Sequence, residues 1–258
     1  IKRVYMHLFN PPTKKNDSSI LLGSVRLSER TYFVYKNSEG KIFVNNNFEE
    51  KSYKKNLEIN IQKVPSICRI LKKYGLTGKI NTKILSELVS GHMNDTCKIA
   101  LGIYSILSET LSIDISKKTL QQAAELHDVG KVFIPKKIIC KAGKLNKKEK
   151  KIMNIHSRLG YELLKSQNIN YEILELVKYH HQNLKRTGYP ILVGHTPSDI
   201  AIQIISIADK YSALREARVY RCGLSKQKAL LILYEEVLSG KILKEVFNAL
   251  MIYVKNND

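Results

Sequence analysis

The chain has 258 residues, 43% of them apolar, and a formal net charge of +20. That is enough apolar material for a packed core, and no apolar run reaches the ~18–20 residues that a membrane-spanning helix needs. The opening "IKRVYMHLFNPPTKK" lacks the pattern of a secretory leader, and the surplus lysines spread along the whole chain as on a solvated surface, so nucleic acid is an improbable partner.

Ile rather than Met at position 1 suggests a fragment or trimmed chain from which an upstream domain is missing. In chain order, "RVYMHLF", "SILLGSVRL", "RTYFVYK" and "KIFVNN" are short runs rich in β-branched and aromatic residues, with "NSEG" as a hairpin turn before the last. They predict a small β-rich module over residues 1–62. From about Val64 the pattern turns helical, predicting helices near 65–75, 81–110, 117–128, 147–167, 171–182, 198–214, 225–238 and 241–254. The turn signals "GLTG", "DVGK", "KAGK", "RTGYP" and "GHTPSD" separate them. The expectation is a mainly α chain, with a helical domain over 63–258. Asn146 and Glu149 have the spacing of a capping box at the start of one helix. The four cysteines, Cys68, Cys97, Cys140 and Cys222, form no C-x-x-C and are expected to be free thiols in a reducing cytoplasm.

Polar residues interrupt the apolar stripes of these helices. His92 continues a stripe of Leu85, Leu88, Val89, Ile99, Ile103 and Leu107, and Leu120, Ala123 and Ala124 lead to His127 with Asp128 beside it. His156 shares a face with Ile152, Leu159 and Leu163, His180 with Ile173, Leu176 and Val177, and Asp209 with Ile202 and Ile205. A single histidine on such a face is usually a satisfied core residue. Five such positions on the inward faces of different helices instead suit a divalent-metal site, because coordination removes the cost of burying the charges. Adjacent His180 and His181 can both reach one site only at a helix end, where the "RTGYP" turn puts them. Gly130 likewise suggests a helix end just after His127 and Asp128. His7 and His195 are expected to be ordinary residues outside the set.

The stretch "ELHDVGKVFIPKKIICKAGKLNKKEKKIMNIHSRLGYELL", the later "HHQNLKRTGYP" and the segment "IISIADKYSALREARVYR" resemble the HD-GYP family of the HD-domain phosphohydrolases over roughly residues 80 to 235. The resemblance implies an HD-domain helical bundle and a metal-dependent phosphodiesterase that opens a cyclic dinucleotide, cyclic di-GMP above all, by a metal-bridging hydroxide. It implies two divalent metal ions, iron or manganese, held by His92, His127, Asp128, His156, His180, His181 and Asp209, with Asp128 as the bridge. It places Lys131 at the scissile phosphate, Arg218 and Arg221 near the substrate, and Tyr189 in the specificity loop. A homodimer or a signalling partner is compatible with it. The chain departs from the family pattern where Lys185 and Arg186 replace Asp-Gly, Gln182 replaces Glu, and Leu88 stands at the acidic position of three-metal members. These changes leave two further readings: a module that binds a cyclic dinucleotide or partner protein without turnover, and a phosphohydrolase for another nucleotide.

Overall fold

The computed structural model describes residues 20–27, 30–36, 42–45, 62, 64–81, 91–166, 169–192, 199–216 and 222–257. The predicted strand "RVYMHLF", residues 82–90, His7, His195, Arg218 and Arg221 lie outside the described residues. Backbone contacts divide the chain into two compact units, Ile1–Thr82 and Lys83–Asp258.

In the first unit, β1 (Ile20–Leu27), β2 (Arg30–Lys36) and β3 (Ile42–Asn45) pair antiparallel in the order β1-β2-β3. Ile20 pairs with Lys36, and Phe33 with Asn45. The helix α1 (Pro65–Lys73) follows, with Pro65 opening its first turn, where a missing amide donor costs nothing.

The second unit is helical. It contains α2 (His92–Leu107), α3 (Lys117–Leu126), a 3₁₀ segment (Val129–Phe133), α4 (Lys136–Ile139), α5 (Lys147–Asn154), α6 (His156–Lys165), α7 (Tyr171–Tyr179), α8 (Asp199–Arg215), α9 (Lys226–Leu238) and α10 (Lys244–Asn256). Ser116, Asn170 and Ser225 cap α3, α7 and α9 by accepting an amide hydrogen, and Asn146 with Glu149 closes the expected capping box on α5. The predicted helix over 147–167 is two helices. Ile155 carries a tightened backbone between them, which turns His156 into the interior.

The bundle is built around α8. Ile202, Ile204, Ile205 and Ile207 point in different directions around its axis, yet none is more than 1% exposed. A helix apolar all round has to be enclosed, and α8 packs against α2, α7, α9 and α10. In turn α2 packs on α3 and α10, α7 on α3 and α6, and the 3₁₀ segment on α6. These contacts bring the ends of α3, α5 and α7, the start of α2 and the middle of α8 to one place. Among the described residues, no helix is long and apolar enough to cross a membrane.

Candidate metal centre

Five of the expected ligands lie at helix ends: His92 is the first residue of α2, His127 caps α3, Asp128 follows it, His156 stands at the α5–α6 junction, and His180 caps α7. A helix end leaves backbone carbonyls without intrahelical partners, and three histidines use them. Nδ1 of His127 lies 2.8 Å from the Ala124 carbonyl, that of His156 lies 2.7 Å from Met153, and that of His180 lies 2.7 Å from Val177. Each carbonyl is three residues back and can only accept. Nδ1 therefore carries the proton in all three rings, and the Nε2 lone pairs face inward. His92 Nδ1 meets the Ser212 hydroxyl at 3.0 Å.

The inward atoms converge on Asp128, which is 1% exposed. Its Oδ1 lies 3.1 Å from His156 Nε2 and 4.0 Å from His180 Nε2. Its Oδ2 lies 3.5 Å from His127 Nε2 and 3.9 Å from His92 Nε2. Asp209 Oδ1 stands 2.7 Å from His92 Nε2 and 3.7 Å from His127 Nε2, while its Oδ2 lies 3.8 Å from His181 Nδ1. Two groups of metal-ligand side chains result: Asp128 with His156, His180 and His181, and Asp128 with His92, His127 and Asp209, the donor atoms within each group lying within 4.8 Å of one another. Only Asp128 belongs to both, with one oxygen toward each.

The donor set fits cations. Among the described residues, His127 Nε2 and Asp128 Oδ1 are buried without a hydrogen-bond partner, an arrangement that costs free energy unless a ligand satisfies it. His156 Nε2 faces His180 Nε2 at 3.3 Å and His181 Nε2 at 3.2 Å. His156 and His180 offer lone pairs toward each other there, and a cation between them turns that repulsion into coordination. Burial works to raise the Asp128 carboxyl, but Lys131, His127 and His156 outweigh it and hold it well below the usual carboxylate range. Asp209 is likewise held well below that range, its burial outweighed by His127 and His92. Burial, then the charges of His127 and His156, bring His180 down to about 3, and burial, then His180 and His156, lower His181 strongly. His127 is pulled the other way: burial opposes its charge, but Asp128 and Asp209 hold it above its ordinary value. Ionised carboxylates with neutral His180 and His181 are the protonation states that bind metal.

The glycine expected to end α3 has a different task. Gly130 has no positive φ and sits within the 3₁₀ segment. A Cβ there would collide with the His156 carbonyl and the Gly160 amide, so glycine lets the segment press onto α6 and carry Asp128 to His156. Both obstacles are backbone atoms. Gly130→Ala is expected to cost at least ~1–3 kcal/mol of stability, seen as a lowered thermal midpoint, as for an overpacked core.

Lys131 donates to Asp128 Oδ2, the oxygen facing His92 and His127. The loop after α7 folds back over the centre. Gly188 permits this, since a Cβ would run into the His181 carbonyl, and buried Gln182 donates from Nε2 to the Pro190 carbonyl. The Tyr189 ring comes to rest 4.5 Å from the His181 ring. Burial, then the charges of Asp209 and Asp128, push its phenol far above its ordinary pKa, so the hydroxyl stays protonated. The Leu184 amide donates to the Lys241 carbonyl at 3.1 Å, tying the loop to the turn after α9. Exposed Arg186 adopts φ 57°, and its guanidinium grips both Asp199 oxygens, at 2.7 and 2.8 Å. Lys185 is exposed as well, with Cε beside Gly240.

The seven expected ligands therefore come together, with Lys131 and Tyr189 at their edge and Lys185 and Arg186 on the loop's outer side. Sequence reasoning missed Ser212 and Asp199. Ser212 lies three residues after Asp209, on the same face of α8, which was a usable signal. Nothing local marks Asp199 as the partner of Arg186.

The HD domain family model matches residues 79–243. The chain belongs to the HD-domain family. It is 35% identical over 138 residues to the cyclic di-GMP phosphodiesterase response regulator RpfG of Xanthomonas campestris, a match covering 52% of this chain and 36% of that protein. It is 33% identical over 165 residues to 3'3'-cGAMP-specific phosphodiesterase 3 of Vibrio cholerae, covering 64% of this chain and 35% of that protein. The HD-GYP resemblance carried by the motifs is borne out by these relatives. The chain spans about a third of the length of these curated relatives. Bd1817, an HDG"Y"P protein from Bdellovibrio bacteriovorus, shares the fold at a TM-score of 0.53 and 13% identity, covering 99% of this chain and 98% of that one.

Proposed function

We propose that this chain is a metal-dependent phosphodiesterase that hydrolyses a cyclic dinucleotide, cyclic di-GMP foremost. The observation that carries this reading is the pair of four-residue ligand groups sharing Asp128. Relatives named as cyclic di-GMP and 3'3'-cGAMP phosphodiesterases support the substrate class. The proposed cofactors are two divalent ions, iron or manganese. When bound, such a pair lowers the pKa of a shared water and neutralises phosphoryl charge.

The chain's own residues supply the rest. Asp128 presents one oxygen to each ligand group and fixes their separation. The Nδ1 hydrogen bonds of His127, His156 and His180 lock the rings with Nε2 inward. Lys131 brings positive charge to the edge of the centre, where a phosphoryl group gains negative charge in the transition state. Tyr189 offers a ring for a base to stack on and a hydroxyl that donates. Arg218 and Arg221 supply further anion contacts. Lys185 and Arg186 set which nucleotide fits, Arg186 through the loop conformation it fixes by holding Asp199. The proposed division is a β-rich module over residues 1–62 and a catalytic domain over 63–258, within which the compact unit Lys83–Asp258 holds both ligand groups, and four cysteines outside any disulfide suit a cytoplasmic enzyme.

The loop test is the double variant Lys185→Asp with Arg186→Gly. Glycine relieves the cost of φ 57° at the expense of an exposed ion pair worth ~0–1 kcal/mol. Thermal stability should therefore hold and metal content stay the same, while relative rates across a nucleotide panel shift by severalfold or more. Unchanged ranking and rates would show that neither residue reads the substrate.

Anaerobic purification, metal analysis and chromatography of products from a panel of cyclic dinucleotides test the function itself. A linear product from at least one of them, lost on chelation, is expected. A metal-loaded protein that binds these nucleotides and releases no product would instead establish binding without turnover, the reading that the altered loop favours.

A further inference from the structure

Nine large apolar side chains are conspicuously exposed among the described residues, and six of them lie on α9 and α10. On α9, Leu231, Tyr234 and Leu238 are 61%, 43% and 71% exposed, while Ala229 and Leu233 on the opposite side are buried in the bundle. The three exposed residues are spaced i, i+3, i+7, the seam of a helix pair. α10, which packs on α9, exposes Met251 and Ile252 in addition.

The charges beside this seam are unusual. The first turn of α9 carries lysines and no acid, and its last turn has no basic residue but carries Glu235 and Glu236. That order opposes the helix dipole, which favours acids at the start and bases at the end. Glu236 pairs with Lys210 of α8 at 2.5 Å. Lys228 and Glu235 are exposed and form no ion pair among the described residues. They are seven residues apart and flank the same edge of the seam, one toward each end.

We propose that α9 is the contact of a homodimer, in which two copies of the helix cross antiparallel on a two-fold axis through the Leu231–Tyr234–Leu238 seam. An antiparallel two-fold pair brings like edges together. Lys228 then comes within one helical turn of Glu235 of the partner subunit, in reach of its side chain, and the same pair recurs on the other side of the axis. Leu231 comes level with Tyr234 of the partner subunit. A parallel pair would put Lys228 level with its own copy. The antiparallel arrangement also opposes the two helix dipoles, so the charge order that weakens a lone helix favours the pair.

Sedimentation of the full chain across micromolar concentrations tests this. A monomer–dimer equilibrium is expected. Leu231→Glu should weaken it at least about tenfold, with unchanged circular dichroism because the side chain is mostly exposed. Lys228→Glu alone and Glu235→Lys alone should each weaken it, and the two together should restore it, the signature of a direct pair. A protein that stays monomeric, a dimer indifferent to Leu231→Glu, or single charge reversals without effect would each overturn the proposal.

Discussion

Asp128→Ala is expected to strip the protein of both metal ions at once. Asp128 is the only residue in both ligand groups. Its two oxygens are divided between them, Oδ1 toward His156 and His180 and Oδ2 toward His92 and His127. Loss of a partner behind a ligand commonly costs ~10–100-fold in affinity or activity, and loss of the shared ligand should exceed that, leaving phosphodiesterase activity down more than ~100-fold. The contrast is His92→Ala, which removes a ligand from one group only. Metal analysis of the two variants side by side separates a shared carboxylate from two independent sites. Full metal content in Asp128→Ala would contradict the shared role.

Lys131→Ala should show the second largest effect and a different signature. Its ammonium reaches Asp128 from the edge of the centre, and its side chain is 20% exposed. Lysine belongs to neither ligand group, so metal content should persist. Charge aimed at a transition state typically contributes ~10²–10³-fold to kcat when supplied by a single donor. The expected result is a fall of that order in kcat with KM moving far less. If kcat is kept and metal is lost, Lys131 is a structural partner of Asp128 and does not act on the phosphate.

Much of this centre was legible in the sequence because a buried polar residue interrupts an apolar period. His127, His156, His180 and Asp209 each stood where a Leu or Ile would continue the stripe, and each is buried. The capping box at Asn146 was equally local and appears as expected. Tertiary packing set what was missed. The stripe of Ile202 and Ile205 suggested a one-sided α8, but Ile204 and Ile207 are buried too, since helices surround it. Gly130 suggested a helix end, and its reason is instead the close approach of a backbone remote in sequence, the carbonyl of His156 on another helix. The break at Ile155 has no Gly or Pro to announce it. The partners that orient the histidines are mostly backbone carbonyls, which every residue carries and no sequence pattern can mark.

Anomalous scattering from crystals of anaerobically purified protein measures the proposed arrangement of two ions about Asp128 most directly. Two peaks are expected, one among Asp128, His156, His180 and His181 and the other among Asp128, His92, His127 and Asp209, with the Asp128 carboxylate between them. A single peak, or two peaks of which only one touches Asp128, would contradict it.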